Sequence, residues 1–221
     1  MGDAFYGLPF LFLWIGLQQP LVLGGLAVVI LARPWLPEPF VVLRTFRRMG
    51  ALSSEIASNP ANVTARRDLA VIYLEQRRAG RAVEVLRQAL ARFPDDAELL
   101  YLFGVALHRR GEHEAALTPL VRAVELEPGI RFGEPYLVAG DALSALGRHA
   151  EALDAYERYC DSVSSSVQGH VKRARMARAM SDATTAKRAL DEAIGTFSVL
   201  PGFKRRRELG WWLMAWAMRV I

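Results

Sequence analysis

Two stretches of this chain can be laid over one another: RRDLAVIYLEQRRAGRAVEVLRQALARFP at 66–94 and LYLFGVALHRRGEHEAALTPLVRAVELEP at 100–128. Their offset is 34 residues, and a third copy at 135–159 follows at an offset of 36, with a degenerate fourth copy after it. In every copy two small residues stand 12 positions apart: Ala70 and Ala82, Gly104 and Ala116, Gly140 and Ala152, Ala174 and Ala186. A fixed period of this length predicts a repeat architecture.

This spacing resembles that of the tetratricopeptide repeat, over roughly residues 60–200. The resemblance implies an all-α fold, an α-solenoid of about four repeats, each a pair of antiparallel helices that approach closely at the small residues. We divide the solenoid, residues 59–200, into four repeats: 59–96, 97–130, 131–166 and 167–200.

Signals for helix ends agree with this division. Asn62 can cap a helix, and Asp95 or Asp96 can cap the first helix of the second repeat. Three glycines should mark the turns between paired helices: Gly80, Gly111 and Gly147.

The N-terminal segment carries no charge from Ala4 to Ala32, a run of 29 positions, where roughly 20 suffice to cross a bilayer. It lacks the positive start and the small-residue cleavage site of a signal peptide. Residues 1–35 are therefore predicted to be one uncleaved transmembrane anchor, kinked or tilted at Pro20. Because the flanking arginines all follow the run, the repeats should face the cytoplasm from the inner membrane. The alternative is a buried core helix.

Residues 36–58 should form a linker and an amphipathic helix. Apolar residues recur there at spacings of three and four, beside arginines: Leu43, Phe46, Met49, Leu52 and Ile56. Such a helix could lie on the membrane surface or pack on the repeats, and the pattern does not decide between these two.

The C-terminal segment, 201–221, ends in LGWWLMAWAMRVI and should form a helix that caps the array. A helical wheel assigns one apolar face to the fourth repeat: Leu209, Trp212, Leu213, Trp216 and Val220. A second stripe is predicted to contact membrane, a partner or another copy of the chain: Trp211, Met214, Met218 and Ile221. The basic run KRRR at 204–207 favours an anionic surface beside it.

The first helices of such repeats line a concave groove, which the resemblance makes the candidate partner-binding site. Its predicted residues are Arg67, Val71, Leu74, Tyr101, Val105, His108, Leu137, Asp141 and Arg175. The groove should be apolar at its start, acidic in its middle and basic at its end, which suits a segment with apolar anchors. It lacks the asparagine and arginine set of the chaperone-binding type, because Val71, Leu102 and Val138 occupy those positions. The alternative is that an internal helix fills the groove.

No catalytic, metal-binding or cofactor-binding motif is present. The four histidines have no ligand spacing with Cys160, the single cysteine, and no phosphate-binding glycine loop occurs. The three C-terminal tryptophans lie in an apolar run with one charge, which argues against nucleic-acid binding.

These patterns predict a non-catalytic, membrane-anchored bacterial scaffold that recruits or organises protein partners at the cytoplasmic face of the membrane. Expected partners are proteins, among them a membrane complex, together with membrane lipid and another copy of the chain. The alternative is a stably bound accessory subunit or assembly factor of a membrane protein complex. Membrane-tethered members of the resembled family include assembly factors for lipopolysaccharide. Those proteins carry a metal module built from paired cysteines, which this chain cannot form because it has one cysteine.

Overall fold

The computed structural model describes the backbone of residues 39–220, with side-chain surroundings from Thr45 onward. Over that range the chain forms ten α-helices and no strand. The helices are α1 Pro39–Ser58, α2 Val63–Glu75, α3 Ala79–Leu90, α4 Ala97–Arg110, α5 His113–Leu126, α6 Glu134–Ala145, α7 His149–Ser162, α8 Val167–Ala179, α9 Ala183–Val199 and α10 Gly202–Val220.

The chain divides between Gly50 and Ala51 into two compact units. The described part of the first unit, residues 39–50, lies entirely within α1. Between residues 39 and 220 no helix combines the length and the apolar character needed to cross a membrane. The anchor predicted at 1–35 lies outside the described residues.

In the second unit, helices pair as the repeat pattern predicts: α2 with α3, α4 with α5, α6 with α7, and α8 with α9. Each pair packs on the next one through α3 and α4, α5 and α6, and α7 and α8. The all-α solenoid is therefore confirmed, and α10 follows it, packed on α8 and α9.

The small residues 12 positions apart lie where paired helices approach most closely. The alanines among them are at most 2% exposed. A Cβ added at Gly104 would lie 2.5 Å from Leu120 Cγ, and one added at Gly140 would lie 2.5 Å from Tyr156 Cε1. A larger residue at either position would push the paired helices apart, because close-packed interiors have no room to absorb it.

The last turns of α1 contact the start of the repeats. Leu52 is buried, and Asn62 Nδ2 donates to Glu55 Oε1 at 2.6 Å. Asn62 also caps α2, since its side-chain oxygen accepts from the amide of Ala65 at 2.9 Å. Residues 51–58 thus belong to the packed array.

Side chains cap three further helices. Asp96 accepts from the amide of Leu99 at 2.9 Å, Ser166 from that of Gly169 at 3.1 Å, and Asp182 from that of Thr185 at 2.9 Å. Each cap satisfies one of the free amides at a helix start, which fixes where α4, α8 and α9 begin.

The turn inside each repeat contains one residue with positive φ, at equivalent positions in all four repeats: Arg77 (58°), Gly111 (90°), Gly147 (76°) and Ser181 (62°). The prediction that Gly80 marks the first turn is wrong, because Gly80 lies within α3. Arg77 holds the left-handed position there, although a residue with a Cβ is energetically disfavoured in this conformation.

The extra two residues between the second and third repeats are taken up by a short 3-10 turn, Ile130–Gly133. Arg131 and Phe132 both have positive φ in it. The turn buries Ile130, leaves Phe132 exposed and brings Arg131 back onto α4.

Candidate functional site

The first helices of the repeats, α2, α4, α6 and α8, form one side of the array, here called the first-helix face. Neighbouring helices on it contact each other, α2 with α4 and α4 with α6, and a Lys172–Asp141 ion pair joins α8 to α6. All nine residues predicted for the groove lie on these four helices.

Three of those nine residues are buried, namely Leu74, Tyr101 and Val105, each at most 8% exposed. The prediction that they contact a partner needs correction, because their side chains are buried within the array and Tyr101 is already engaged by Glu134 and Arg131. These three side chains pack beneath the exposed surface of the first-helix face. The other six are partly or fully exposed: Arg67, Val71, His108, Leu137, Asp141 and Arg175.

Tyr101 lies at the centre of a polar group between α4 and α6. Its hydroxyl donates to Glu134 Oε2 at 2.8 Å, and the Arg131 guanidinium carbon lies 5.5 Å from its ring centroid. Arg131 Nε in turn donates to both carboxylate oxygens of Glu98 at 3.1 Å. Burial, together with the Glu134 carboxylate, raises the pKa of Tyr101 well above its ordinary value. The tyrosine therefore stays protonated and acts as a donor.

Lys172 forms the second polar group, between α6 and α8, and sequence analysis missed it. Its Nζ lies 2.6 Å from both oxygens of Asp141, although Lys172 is only 9% exposed. Tyr156 donates to Asp141 Oδ1 at 2.7 Å, and burial raises the pKa of Tyr156. The ammonium also lies 5.8 Å from the Tyr156 ring centroid and 5.7 Å from that of Trp211.

These pairings change the electrostatics expected for the groove. The middle was predicted to be acidic, but Glu98 is paired with Arg131 and Asp141 with Lys172. Glu98 and Asp141 are consequently neutralised within the chain, whereas the exposed Glu134 accepts from the Tyr101 hydroxyl. Arg175 remains exposed near the end of the face, so that end of the face presents a positive charge to solvent.

His108 is partly exposed on α4 and interacts electrostatically with Asp141 and Lys172 of the second group. Its Nδ1 is 3.1 Å from His113 Nδ1, a distance that allows one hydrogen bond when one of the rings is neutral. Burial is the main cause that lowers the pKa of His108, and the His113 ring acts in the same direction while Asp141 opposes it. At neutral pH His108 therefore offers a neutral imidazole to the face.

The terminal helix α10 packs on the fourth repeat with a different face from the predicted one. Ala215 is fully buried, and Trp211, Trp212 and Met218 pack against the cluster that contains Val171, Leu190 and Ala193. Trp212 stacks on Phe197 with 4.8 Å between ring centroids. The assignment of Trp211 and Met218 to an outer contact stripe is thus wrong.

The residues predicted to face inward are mostly on the outer side of α10. Four of them form a line that we call the outer stripe: Leu209 (46% exposed), Leu213 (54%), Trp216 (46%) and Val220 (80%). Met214 is also exposed at 40%, as predicted from the sequence, and Ile221 lies outside the described residues. A small residue decides the inner face here, because Ala215 lets α10 approach α8 and α9 closely.

Polar contacts hold both ends of α10 in place. Glu208 accepts from the amide of Gln168 at 3.1 Å and so caps α8. At the other end Arg219 pairs with Asp191, and Arg178 donates to the carbonyl of Met218.

No group of three residues suited to bind a metal ion occurs in the part of the chain that the structure describes. Cys160 is buried, and burial raises the pKa of its thiol to about 11, which makes it a poor nucleophile at neutral pH.

Comparison with protein families and solved structures identifies the repeats. Family models of the tetratricopeptide repeat match residues 50–90 and 67–129, and another matches 133–162. The crystal structure of MamA superposes with a TM-score of 0.64 at 21% identity, covering 67% of this chain and 85% of that one. YrrB, described as a TPR protein with an unusual peptide-binding site, superposes with a TM-score of 0.61 at 20% identity, covering 71% and 79%. Comparison with curated proteins gave no match. At these identities the likeness to solved structures establishes the fold alone.

Proposed function

We propose that this chain, an array of tetratricopeptide repeats, is a non-catalytic scaffold that holds a segment of a partner protein on its first-helix face. The chain carries the repeats of a protein-interaction scaffold, a fold that is typically non-catalytic. The peptide-binding site named for YrrB is the property of a similar protein and gives the proposal a precedent.

The observation that carries the proposal is the composition of the exposed part of the face. Val71 and Leu137 offer apolar surface, and His108 offers a hydrogen-bonding imidazole. Arg175 adds an exposed guanidinium on α8, at the end of the face. A partner segment with apolar side chains followed by an acidic residue would complement this order. The buried residues below, Tyr101 and Val105, keep the helices at a fixed spacing and so preorganise the face.

The proposal includes a membrane tether at residues 1–35, with the repeats on the cytoplasmic side of the inner membrane. Its support is the uncharged run from Ala4 to Ala32 with arginines on its C-terminal flank alone. Protease treatment of sealed inner-membrane vesicles tests the orientation. Protection of the repeats from protease on the cytoplasmic side would contradict it, and extraction of the protein by salt or carbonate would contradict the tether.

A crosslinking pull-down from native membranes tests the partner-binding face. The variant carries Val71→Ser and Arg175→Glu, two positions on the face that are not fully buried. The matched control carries Val85→Ser and Arg188→Glu, the same changes on the second helices α3 and α9. We expect the face variant to lose the partner that the wild-type and control proteins retain, with all three unfolding at similar temperatures.

Equal recovery of the partner by both variants would contradict the proposal. A parallel pull-down without crosslinker, washed at high salt before elution, separates the two forms of the function. Loss of the partner at high salt indicates a recruiting scaffold, whereas recovery in fixed ratio indicates a subunit or assembly factor of a membrane complex.

A further inference from the structure

We propose that the outer side of α10 docks on the surface of an anionic phospholipid bilayer. The outer stripe of Leu209, Leu213, Trp216 and Val220 follows spacings of four, three and four, which places these side chains on one line along the helix. The line is about 17 Å long at 1.5 Å per residue. A contiguous exposed apolar line on a helix whose opposite side is already packed needs a second apolar environment.

The charge at the start of α10 indicates what that environment carries. Lys204, Arg205, Arg206 and Arg207 are all exposed, and the first turn of the helix holds no acidic residue. The N-terminal end of a helix is itself positive, so it disfavours cations there. Within the chain, Arg205 has a partner in the carbonyl of Ser198 at 2.6 Å. An anionic surface would relieve the repulsion among these groups.

The same charges argue against a symmetric contact in which α10 of one copy of the chain meets α10 of another. Residues 167–221 contain 11 basic and 4 acidic side chains, a net charge of +7. All four acids already have partners: Asp182 caps α9, Asp191 pairs with Arg219, Glu192 with Arg173, and Glu208 caps α8. Two such surfaces brought together would repel each other, because neither holds an unengaged carboxylate.

The form of the stripe favours lipid over an acidic protein. The stripe is a ridge along a helix, which a fluid bilayer accommodates without a preformed groove. Trp216 packs edge-to-face against Trp212, with ring centroids 6.3 Å apart, which orients its indole at the surface of the helix. Indole and arginine are the side chains that settle between acyl chains and headgroups, since each joins an apolar body to a polar end. Interfacial helices combine these features.

This contact is separate from the partner-binding role proposed for the first-helix face, and it does not require the N-terminal tether. It would set which side of the array faces the membrane and leave the first-helix face free for a protein.

A fluorophore on α10 tests the contact in the full chain. Ala217 is exposed on the outer side and is not part of the stripe, so Ala217→Cys carries an environment-sensitive dye without altering the ridge. Cys160 stays unlabelled because it is buried and its thiol is largely protonated. Ala115→Cys on α5 is the matched control position. Each protein is incorporated into vesicles of phosphatidylcholine alone or with phosphatidylglycerol.

We expect the dye at 217 to shift to shorter wavelength and to be quenched by brominated lipid only when phosphatidylglycerol is present. The dye at 115 should not respond. Changing Lys204 and Arg206 to Gln should reduce the docked-to-undocked ratio by about fivefold per charge. Changing Leu213 and Trp216 to Ser should abolish the shift.

Three results would overturn the proposal: no response at 217 in anionic vesicles, an equal response in phosphatidylcholine alone, or a response that grows with protein density whatever the lipid. The last would identify a second copy as the occupant. Failure of the N-terminal tether would differ from all three, because the protein would then leave zwitterionic vesicles while the response at 217 in anionic vesicles persisted.

Discussion

Removal of the Asp141 carboxylate should destabilise the array strongly, although the repeat pattern predicts a partner-binding role for Asp141. Its side chain is 31% exposed and that of Lys172 is 11% exposed, with 2.6 Å between Nζ and the carboxylate. Asp141→Ala leaves the ammonium without its counterion and the Tyr156 hydroxyl without its acceptor. Loss of one member of a buried pair costs roughly 3–5 kcal/mol. Because Asp141 is partly exposed, we expect about 3 kcal/mol, a fall of about 6–12 °C in unfolding temperature.

Thermal unfolding of the full chain, followed by circular dichroism at 222 nm, measures this loss. A triple variant, Asp141→Leu with Lys172→Met and Tyr156→Phe, is the informative comparison. Replacing a whole buried polar group by apolar residues of similar size is often neutral, so this variant should unfold within about 1 kcal/mol of wild type. If Asp141→Ala costs less than about 1 kcal/mol and abolishes partner binding, the reasoning is refuted and Asp141 serves the partner directly.

Three further outcomes are expected. Ser181→Gly should stabilise the array by about 1 kcal/mol, because Ser181 has a φ of 62°, while Gly147→Ala should destabilise it by a similar amount; chemical denaturation measures both. Cys160 should resist a thiol reagent at pH 8 until the protein unfolds, as its pKa is about 11; rapid labelling of the folded protein would contradict this. Because burial lowers the pKa of His108, the unfolded chain takes up the proton first, so stability should fall as the pH drops below about 6.5, and His108→Gln should flatten that dependence in unfolding at pH 5.5 and 7.5.

The repeat architecture could be predicted because its physical cause is local and periodic. Paired helices can approach closely only where small residues face each other, and Gly104 with Ala116 and Gly140 with Ala152 mark those places at a constant spacing. The cap of α4 could be narrowed to Asp95 or Asp96 for the same reason, since it depends on a few neighbouring residues, and the structure shows Asp96.

The details of the site could not be predicted because they depend on neighbouring repeats. Whether Tyr101 is exposed is decided by Arg131 and Glu134, which the 3-10 turn and α6 bring over it. Lys172 follows Val171 without any sign in the sequence that its ammonium meets Asp141, 31 positions earlier.

The faces of α10 were assigned wrongly for a related reason. Apolar residues occur around most of this helix. A helical-wheel assignment that favours the largest apolar side chains therefore places Leu213 and Trp216 in the interior. The array selects the side where Ala215 permits close approach and where Glu208 and Arg219 find their partners. Close helix packing and polar contacts therefore determine the orientation of α10 more than the size of its apolar side chains does.

The double attachment of α10 has a consequence for how this array can change its length. The helix occupies the place where the first helix of a fifth repeat would begin, and Glu208 and Arg219 bind it to groups on α8 and α9. A repeat inserted upstream of Val167 would leave these contacts, and with them the α8–α9–α10 terminus, intact.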